Sequence, residues 1–225
     1  MRYYLENILF MNRNIKSASL CLLAIGFLIL NGCKKDPLKN LSNDDSRIYI
    51  SNHDSTANFA TYKTFSISDS ASVIEDNHFL GRVLGTYETS LIAQLKQIMQ
   101  QRGYTLVDTA SKPDLALNIS EVVNTQTTIF SYDDYWDSYG YYYDPGYYGY
   151  PGYGYYSPYS YGSYTVASAA LEIDLLDLKN ATADGDKITA IWVGLARGED
   201  VFNSNNIATT IATLFGQSAY LKTGN

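Results

Sequence analysis

In this 225-residue chain few side chains stand at spacings that do chemistry. Cys33 is one, because it follows Leu30-Asn31-Gly32 directly at the end of an apolar run that begins at Leu20, where a secretion signal would be cut. The two histidines, His53 and His78, share no metal-ligand spacing with each other or with a cysteine, so no metal is expected. Asp174 and Asp177 are separated by an odd number of residues, which on a regular strand sends them to opposite faces and forbids a carboxylate pair. Asp174 therefore reads as an ordinary solvent-facing acid. Gly152-x-Gly154 has neither an apolar strand before it nor a helix after it, so it is no phosphate cradle. These readings predict no catalytic residues and no cofactor, and an enzyme is not the expected class.

Tyrosine is what the sequence has instead. Residues 132–164 hold 15 tyrosines, six glycines and three prolines, with Asp133, Asp134, Asp137 and Asp144 gathered at the front. Glycine and proline break helices and sheet ladders, so the stretch reads as a long connection. Tyrosine offers a broad ring and one hydroxyl with only two side-chain torsions, which suits binding loops and stacking on sugar rings. Tyr141, Tyr142, Tyr147, Tyr148, Tyr153 and Tyr155 are the candidate binding surface, for an envelope protein or a glycan. Two other readings stay open: a low-complexity spacer packed loosely on its own domain, and self-association. In each the insert is expected to add nothing to the core.

The chain start resembles a bacterial lipoprotein signal. Arg13 and Lys16 precede the apolar run Leu20–Leu30, too short to span a bilayer, which needs about 20 residues. The resemblance implies cleavage before Cys33, lipid on its thiol and acylation of the freed amine; two or three acyl chains give the stable anchoring that one does not. Residues 1–32 are then the signal peptide and 33–46 a polar tether, with Met11 a better start than Met1. Lys34 rather than Asp after the cysteine points to the outer membrane, on either its periplasmic face or the cell surface. Without residues 1–32 the chain has 13 basic and 22 acidic side chains, so its net charge of −9 makes nucleic acid an unsuitable partner.

Around the insert, residues 47–225 read as one domain. Strands are expected at Arg47–Ser51, Tyr62–Ile67 and Tyr104–Val107, and Leu115, Leu117 and Ile119 alternate with Ala116, Asn118 and Ser120 as a half-buried strand. Leu171, Ile173 and Leu175 form its partner, and a turn at Asp184-Gly185-Asp186 leads into Ile188–Arg197. Leu84, Tyr87, Leu91, Leu95 and Ile98 recur at helical spacing and predict a helix from about Phe79 to Arg102; a second runs from about Ser204 to Gly216. Elements apolar on one face must bury those faces together, which gives an α+β two-layer sandwich of a mainly antiparallel sheet with two helices on one face. The face around Asn118, Glu172 and Asp174 is expected to stay open.

Asn58-Phe59-Ala60-Thr61-Tyr62-Lys63-Thr64-Phe65, Lys112-Pro113-Asp114-Leu115, the tyrosine-rich middle, Leu171–Asp177 and Ile191-Trp192-Val193-Gly194-Leu195-Ala196-Arg197-Gly198 together resemble the bacterial envelope lipoprotein family catalogued as domain of unknown function four-one-three-six. The resemblance implies an α+β domain behind a lipid anchor, with no assigned activity and no catalytic residues to carry over. The functional expectation is a lipid-anchored, non-catalytic binding or structural module. The alternative is an enzyme acting on cell-wall or surface glycans.

Overall fold

A computed structural model describes residues 47–76, 78–123, 128–130, 145–156, 164–166, 169–183 and 185–224. Residues 1–46, with the expected signal peptide, Cys33 and the expected tether, lie outside these residues. The domain is a mixed, mainly antiparallel sheet with two helices on one face. Its spine is β1 (Ile48–His53), β11 (Lys187–Arg197), β10 (Ala170–Asp177), β6 (Leu115–Val123), β2 (Thr64–Ile67) and β5 (Thr105–Leu106), in that spatial order. β6, β10, β11 and β1 pair antiparallel. Beyond β2, β3 (Ala71–Glu75) continues along the same edge of β6, parallel to it, and β4 (His78–Val83) returns antiparallel outside β3.

One face of the sheet presents Leu115, Leu117, Ile119, Leu171, Ile173, Leu175 and Trp192 to α1 (Thr86–Gln101) and α2 (Ile207–Gly216), which contribute Leu91, Leu95, Met99, Ile211, Leu214 and Phe215. At the N-terminus of α1 the Glu88 carboxylate accepts the Gly85 N–H, half of a capping box. At its C-terminus Gly103 adopts φ +94° and Arg102 reaches across to α2, its guanidinium donating to the carbonyls of Phe215, Ser218 and Leu221 at 2.6–2.7 Å. A cation there satisfies carbonyls that a helix end leaves unpaired.

Three sequence expectations are corrected. The first helix begins at Thr86, not near Phe79: Gly81 sits at φ +127°, and residues 78–83 pair with β3 instead. Leu84, counted on the helical stripe, is 60% exposed. Second, Asp174 faces no solvent; it is fully buried, and Asn118, Ser120 and Glu172 on the same side of the sheet are buried with it. Third, that side is not open. A second core gathers Ile74, Ala116, Val122, Leu176, Ile188, Val193 and Leu195 there, and Tyr148 of the insert completes it.

The insert leaves and returns as a two-stranded ribbon, β7 (Thr128–Phe130) paired antiparallel with β9 (Tyr164–Val166). Between them a 3-10 turn at Pro145–Tyr148 lays the chain against the second face, and β8 (Gly154–Tyr156) joins the sheet parallel to the start of β11. This stretch adds to the core after all, because tyrosine rings bury large apolar area while their hydroxyls find partners.

Candidate functional site

Every insert tyrosine whose side chain is described has its hydroxyl engaged by the domain. Tyr148, 2% exposed, donates to Asn118 Oδ1 at 2.9 Å. Tyr147 donates to Asp69 Oδ1 at 2.6 Å and accepts the Asp69 N–H at 3.0 Å, while the Arg82 guanidinium lies 4.4 Å from its ring centroid. These bonds, with the help of Ser70 and Arg82, hold the Asp69 carboxyl below the usual carboxylate range. Tyr150 donates to the Leu178 carbonyl at 3.2 Å, and the Tyr153 hydroxyl lies 3.1 Å from Thr182 Oγ1. Tyr147 packs edge-on against Tyr148, and Tyr150 against Tyr153. Of the predicted surface, then, Tyr147, Tyr148 and Tyr153 come together on the second face, with Tyr148 turned inward. Of Tyr155 only the backbone is described, in β8; Tyr141 and Tyr142 lie outside the described residues.

Beneath Tyr148 is a buried polar cluster that the sequence reading missed. Asn118 Nδ2 donates to Asp174 Oδ2 at 3.3 Å and to Ser120 Oγ at 3.2 Å, and Glu172 hydrogen-bonds Asp174. Burial raises the Asp174 pKa, against the lowering effect of the Asn118 and Glu172 bonds. The signal was present: Glu172 and Asp174 are two residues apart on an alternating strand and so share a face. A second carboxyl pair, Glu88 of α1 and Glu121 of β6, lies on the helix side, where burial and the neighbouring Glu88 push Glu121 up to about 8.

An open polar cleft of about 600 Å³ lies at the other end of the helix-side face, lined by Asp54, Asn58, Tyr62, Asp177, Asn180, Lys187 and Thr189 among others. Its central acid is a latch. Asp177 accepts from the Tyr62 hydroxyl at 2.7 Å and from the Asn180 side chain and backbone at 2.7 and 3.0 Å. Nearby, Asp114 Oδ2 accepts the Lys63 and Thr64 N–H groups at 2.6 and 3.3 Å, while Thr64 Oγ1 accepts the Asp114 N–H at 2.9 Å. On the far side of the core Trp192 donates to Ser218 Oγ at 2.8 Å, and its indole covers Gly194 so closely that a Cβ there would lie 2.5 Å from Cη2.

Phe59, Tyr62 and Trp192 share the helix-side core, framed by the Asp177 and Asp114 bonds and the close approach to Gly194, and the family whose domain is described as domain of unknown function (DUF4136) matches residues 50–218, which contain all of these residues. The chain belongs to the DUF4136 family. A solved DUF4136 protein from Bacteroides thetaiotaomicron is 24% identical, with a TM-score of 0.63 over 80% of this chain and 99% of that one, and shares its fold. Two PelC dodecamer structures from Paraburkholderia phytofirmans, one of them of a point variant, are 10% and 9% identical. They cover 80% and 79% of this chain and 99% and 98% of theirs, at a TM-score of 0.36, too slight a likeness to carry an argument. No curated protein matches the sequence.

In this DUF4136 domain the histidines stand apart. His53 stacks on Tyr220 with ring centroids 3.8 Å apart, and the His78 ring contacts the Asp76 carbonyl at 2.8 Å on the exposed β4 edge. Among the described residues no three His, Cys, Asp or Glu side chains gather as metal ligands. No described helix is long and apolar enough to cross a membrane.

Proposed function

We propose that the protein is an envelope lipoprotein, anchored in the outer membrane through lipid on Cys33, whose domain binds a partner non-catalytically through the tyrosine-rich insert. The observation that supports this most is the docking of residues 145–156. Hydroxyl bonds from Tyr147, Tyr148, Tyr150 and Tyr153 tie the middle of the insert to the sheet. The remaining aromatic residues, at 131–144 and 157–163, are thereby tethered at both ends. Tethering reduces the entropy lost when a loop is ordered by a partner. The stretch 131–144 also carries Trp136 and four aspartates, a composition suited to a glycan or to a basic protein surface.

A glycan-processing enzyme fits less well. In the cleft, Asp177 is committed to Tyr62 and Asn180 and the other lining acid, Asp54, accepts from Thr56, whereas catalysis on a glycosidic bond calls for two carboxyl groups turned toward it from either side. The test is crosslinking in intact envelopes followed by affinity purification, comparing the native chain with one lacking residues 131–144 but keeping 145–156. Loss of specific crosslinks from the deleted chain supports the proposal, and an unchanged crosslink pattern refutes the role of the insert. Cys33→Ala should move the protein out of the membrane fraction; equal membrane fractionation would refute the anchor.

A further inference from the structure

Two clefts run together on the helix side of the domain. The open cleft of about 600 Å³ beside Asp177 and a smaller one of about 360 Å³, lined by Phe59, Tyr220 and Lys222 among others, share Ala57 and Asn58, so they form one groove across the start of the 3-10 turn Phe59–Thr61. Its walls are fixed by bonds within the domain. Asp177 is latched to Tyr62 and Asn180, Asp54 Oδ1 accepts the N–H and hydroxyl of Thr56 at 2.8 and 2.6 Å, and Asn58 Oδ1 accepts the Ala60 N–H at 3.2 Å. On the far wall the N–H groups of Thr223 and Gly224 donate to the Arg102 and Ala60 carbonyls at 3.0 and 3.1 Å. Tyr220 is half-buried, with its ring on His53 and its hydroxyl donating to Ser218 Oγ at 3.2 Å, and so presents a fixed aromatic surface to the smaller cleft.

Those bonds leave a remainder. Asp54 Oδ2, Asn58 Nδ2, Thr189 Oγ1 and the ammonium groups of Lys187 and Lys222 belong to residues that line the groove, and they have no hydrogen-bond partner among the described residues. The remainder decides the ligand class. Two carboxylates, Asp54 and Asp177, and two ammonium groups, Lys187 and Lys222, border the groove, so a net charge on the ligand is attracted by one pair and repelled by the other. Carboxylate oxygens only accept, ammonium and amide N–H groups only donate, and a hydroxyl does both. A hydroxyl-rich ligand therefore uses every group in the set. An apolar one does not, since pockets for such molecules are walled mostly by apolar side chains. A sugar ring brings in addition a face of C–H groups that packs on an aromatic ring such as Tyr220.

We propose that this groove binds a neutral oligosaccharide. One sugar ring lies on Tyr220, and the chain crosses Asn58 to place hydroxyls against Asp54, Thr189 and Lys187. Asp177 stays latched to Tyr62 and Asn180, so the site holds the glycan and does not cut it. Because the walls are fixed before the ligand arrives, little ordering entropy is lost on binding. The site is distinct from the tyrosine-rich insert, since every residue named for it lies outside that stretch.

The test titrates the full-length protein in detergent with chitohexaose, cellohexaose and maltohexaose, and with the hexamer of galacturonic acid as the charged counterpart, by isothermal calorimetry and ligand-observed NMR. At least one neutral hexasaccharide should bind, and more tightly than the acidic one. Tyr220→Ala removes the stacking surface and Asn58→Ala one amide, and each should weaken that binding roughly 3- to 10-fold. Lys187→Ala should do the same, and its exposed side chain makes it the variant to rely on should either of the others fold poorly. Deleting residues 131–144 should leave the affinity unchanged. The proposal is overturned if none of the three neutral hexasaccharides binds at about 10 mM, or if the acidic hexamer binds more tightly than all of them. It is equally overturned if the correctly folded variants bind as the native chain does, or if the deletion abolishes binding, which would place the sugar on the insert and leave the insert's own role intact.

Discussion

Tyr148 is the residue on which the insert's role in the fold can be decided. It is 2% exposed, packs into the second core, and donates to the buried Asn118 Oδ1. Truncating a buried aromatic side chain to alanine costs about 3–5 kcal/mol in transfer and cavity terms, and leaving Asn118 Oδ1 unpaired adds about 1–3 kcal/mol if no water replaces the hydroxyl. At roughly 2–4 °C per kcal/mol for a domain of this size, Tyr148→Ala should lower Tm by at least about 6 °C and by as much as about 30 °C. Tyr148→Phe keeps the ring and isolates the hydrogen-bond contribution of about 1–3 kcal/mol. Tyr153→Ala is the control, since this half-buried tyrosine makes its hydroxyl contact at the rim, with Thr182, and should cost about 1 kcal/mol or less. Thermal and urea unfolding, followed by far-UV circular dichroism, measure all three. If Tyr148→Ala unfolds within 1 kcal/mol of the native chain and alongside Tyr153→Ala, then Tyr148 does not close the sheet and the argument from its burial fails.

Three other outcomes follow from the frame and the buried acids. Gly194→Ala places a Cβ against an indole held by Ser218, and should cost about 1–3 kcal/mol by urea titration; relief of that cost by Trp192→Phe in the double variant would confirm the clash as its cause. Asp114→Ala removes the acceptor for the Lys63 and Thr64 N–H groups and should destabilise by about 1–3 kcal/mol; no change would show that water serves those groups equally well. Glu121, raised in the fold to about 8, binds its proton more tightly native than unfolded. Its stabilising contribution is complete below about pH 4.5 and is lost as pH rises toward 8, so the native chain should lose up to a few kcal/mol across that window relative to Glu121→Gln; parallel stability–pH curves for the two would refute the shift.

The helix-side half of the molecule was legible because period and chemistry agree there. Leu115, Leu117 and Ile119 alternate, Leu91, Leu95 and Ile98 follow a helical stripe, and both sets bury where their periods direct them, into one core. The start of α1 was not legible, since Leu84 extends the stripe of Tyr87 and Leu91 by chance while the conformation of Gly81, which settles the matter, leaves no periodic trace. The hairpin of β3 and β4 was hidden for a related reason. Its Phe79, Leu80 and Ile74 do not alternate cleanly, because a bulge between Val73 and Ile74 shifts the register.

The second face was misjudged on a rule that holds for most antiparallel sheets: polar residues on alternate positions face water. Asn118, Ser120, Glu172 and Asp174 satisfy that rule and are nonetheless buried. The contrary sign lay on the neighbouring strand. Ile191-Trp192-Val193-Gly194-Leu195-Ala196 is an unbroken apolar run, the pattern of a strand covered on both sides, and Val193 lies opposite Asp174 across the β10–β11 pair. A sheet cannot be open beside Asp174 and closed beside Val193 when the two residues are paired neighbours on one face. Something had to cover both, and with both helices already committed to the other face, the tyrosine-rich insert was the long segment left to do it. Its lack of periodicity, which made it look detached, is what a chain needs in order to lay rings and hydroxyls across a surface that is half apolar and half acid.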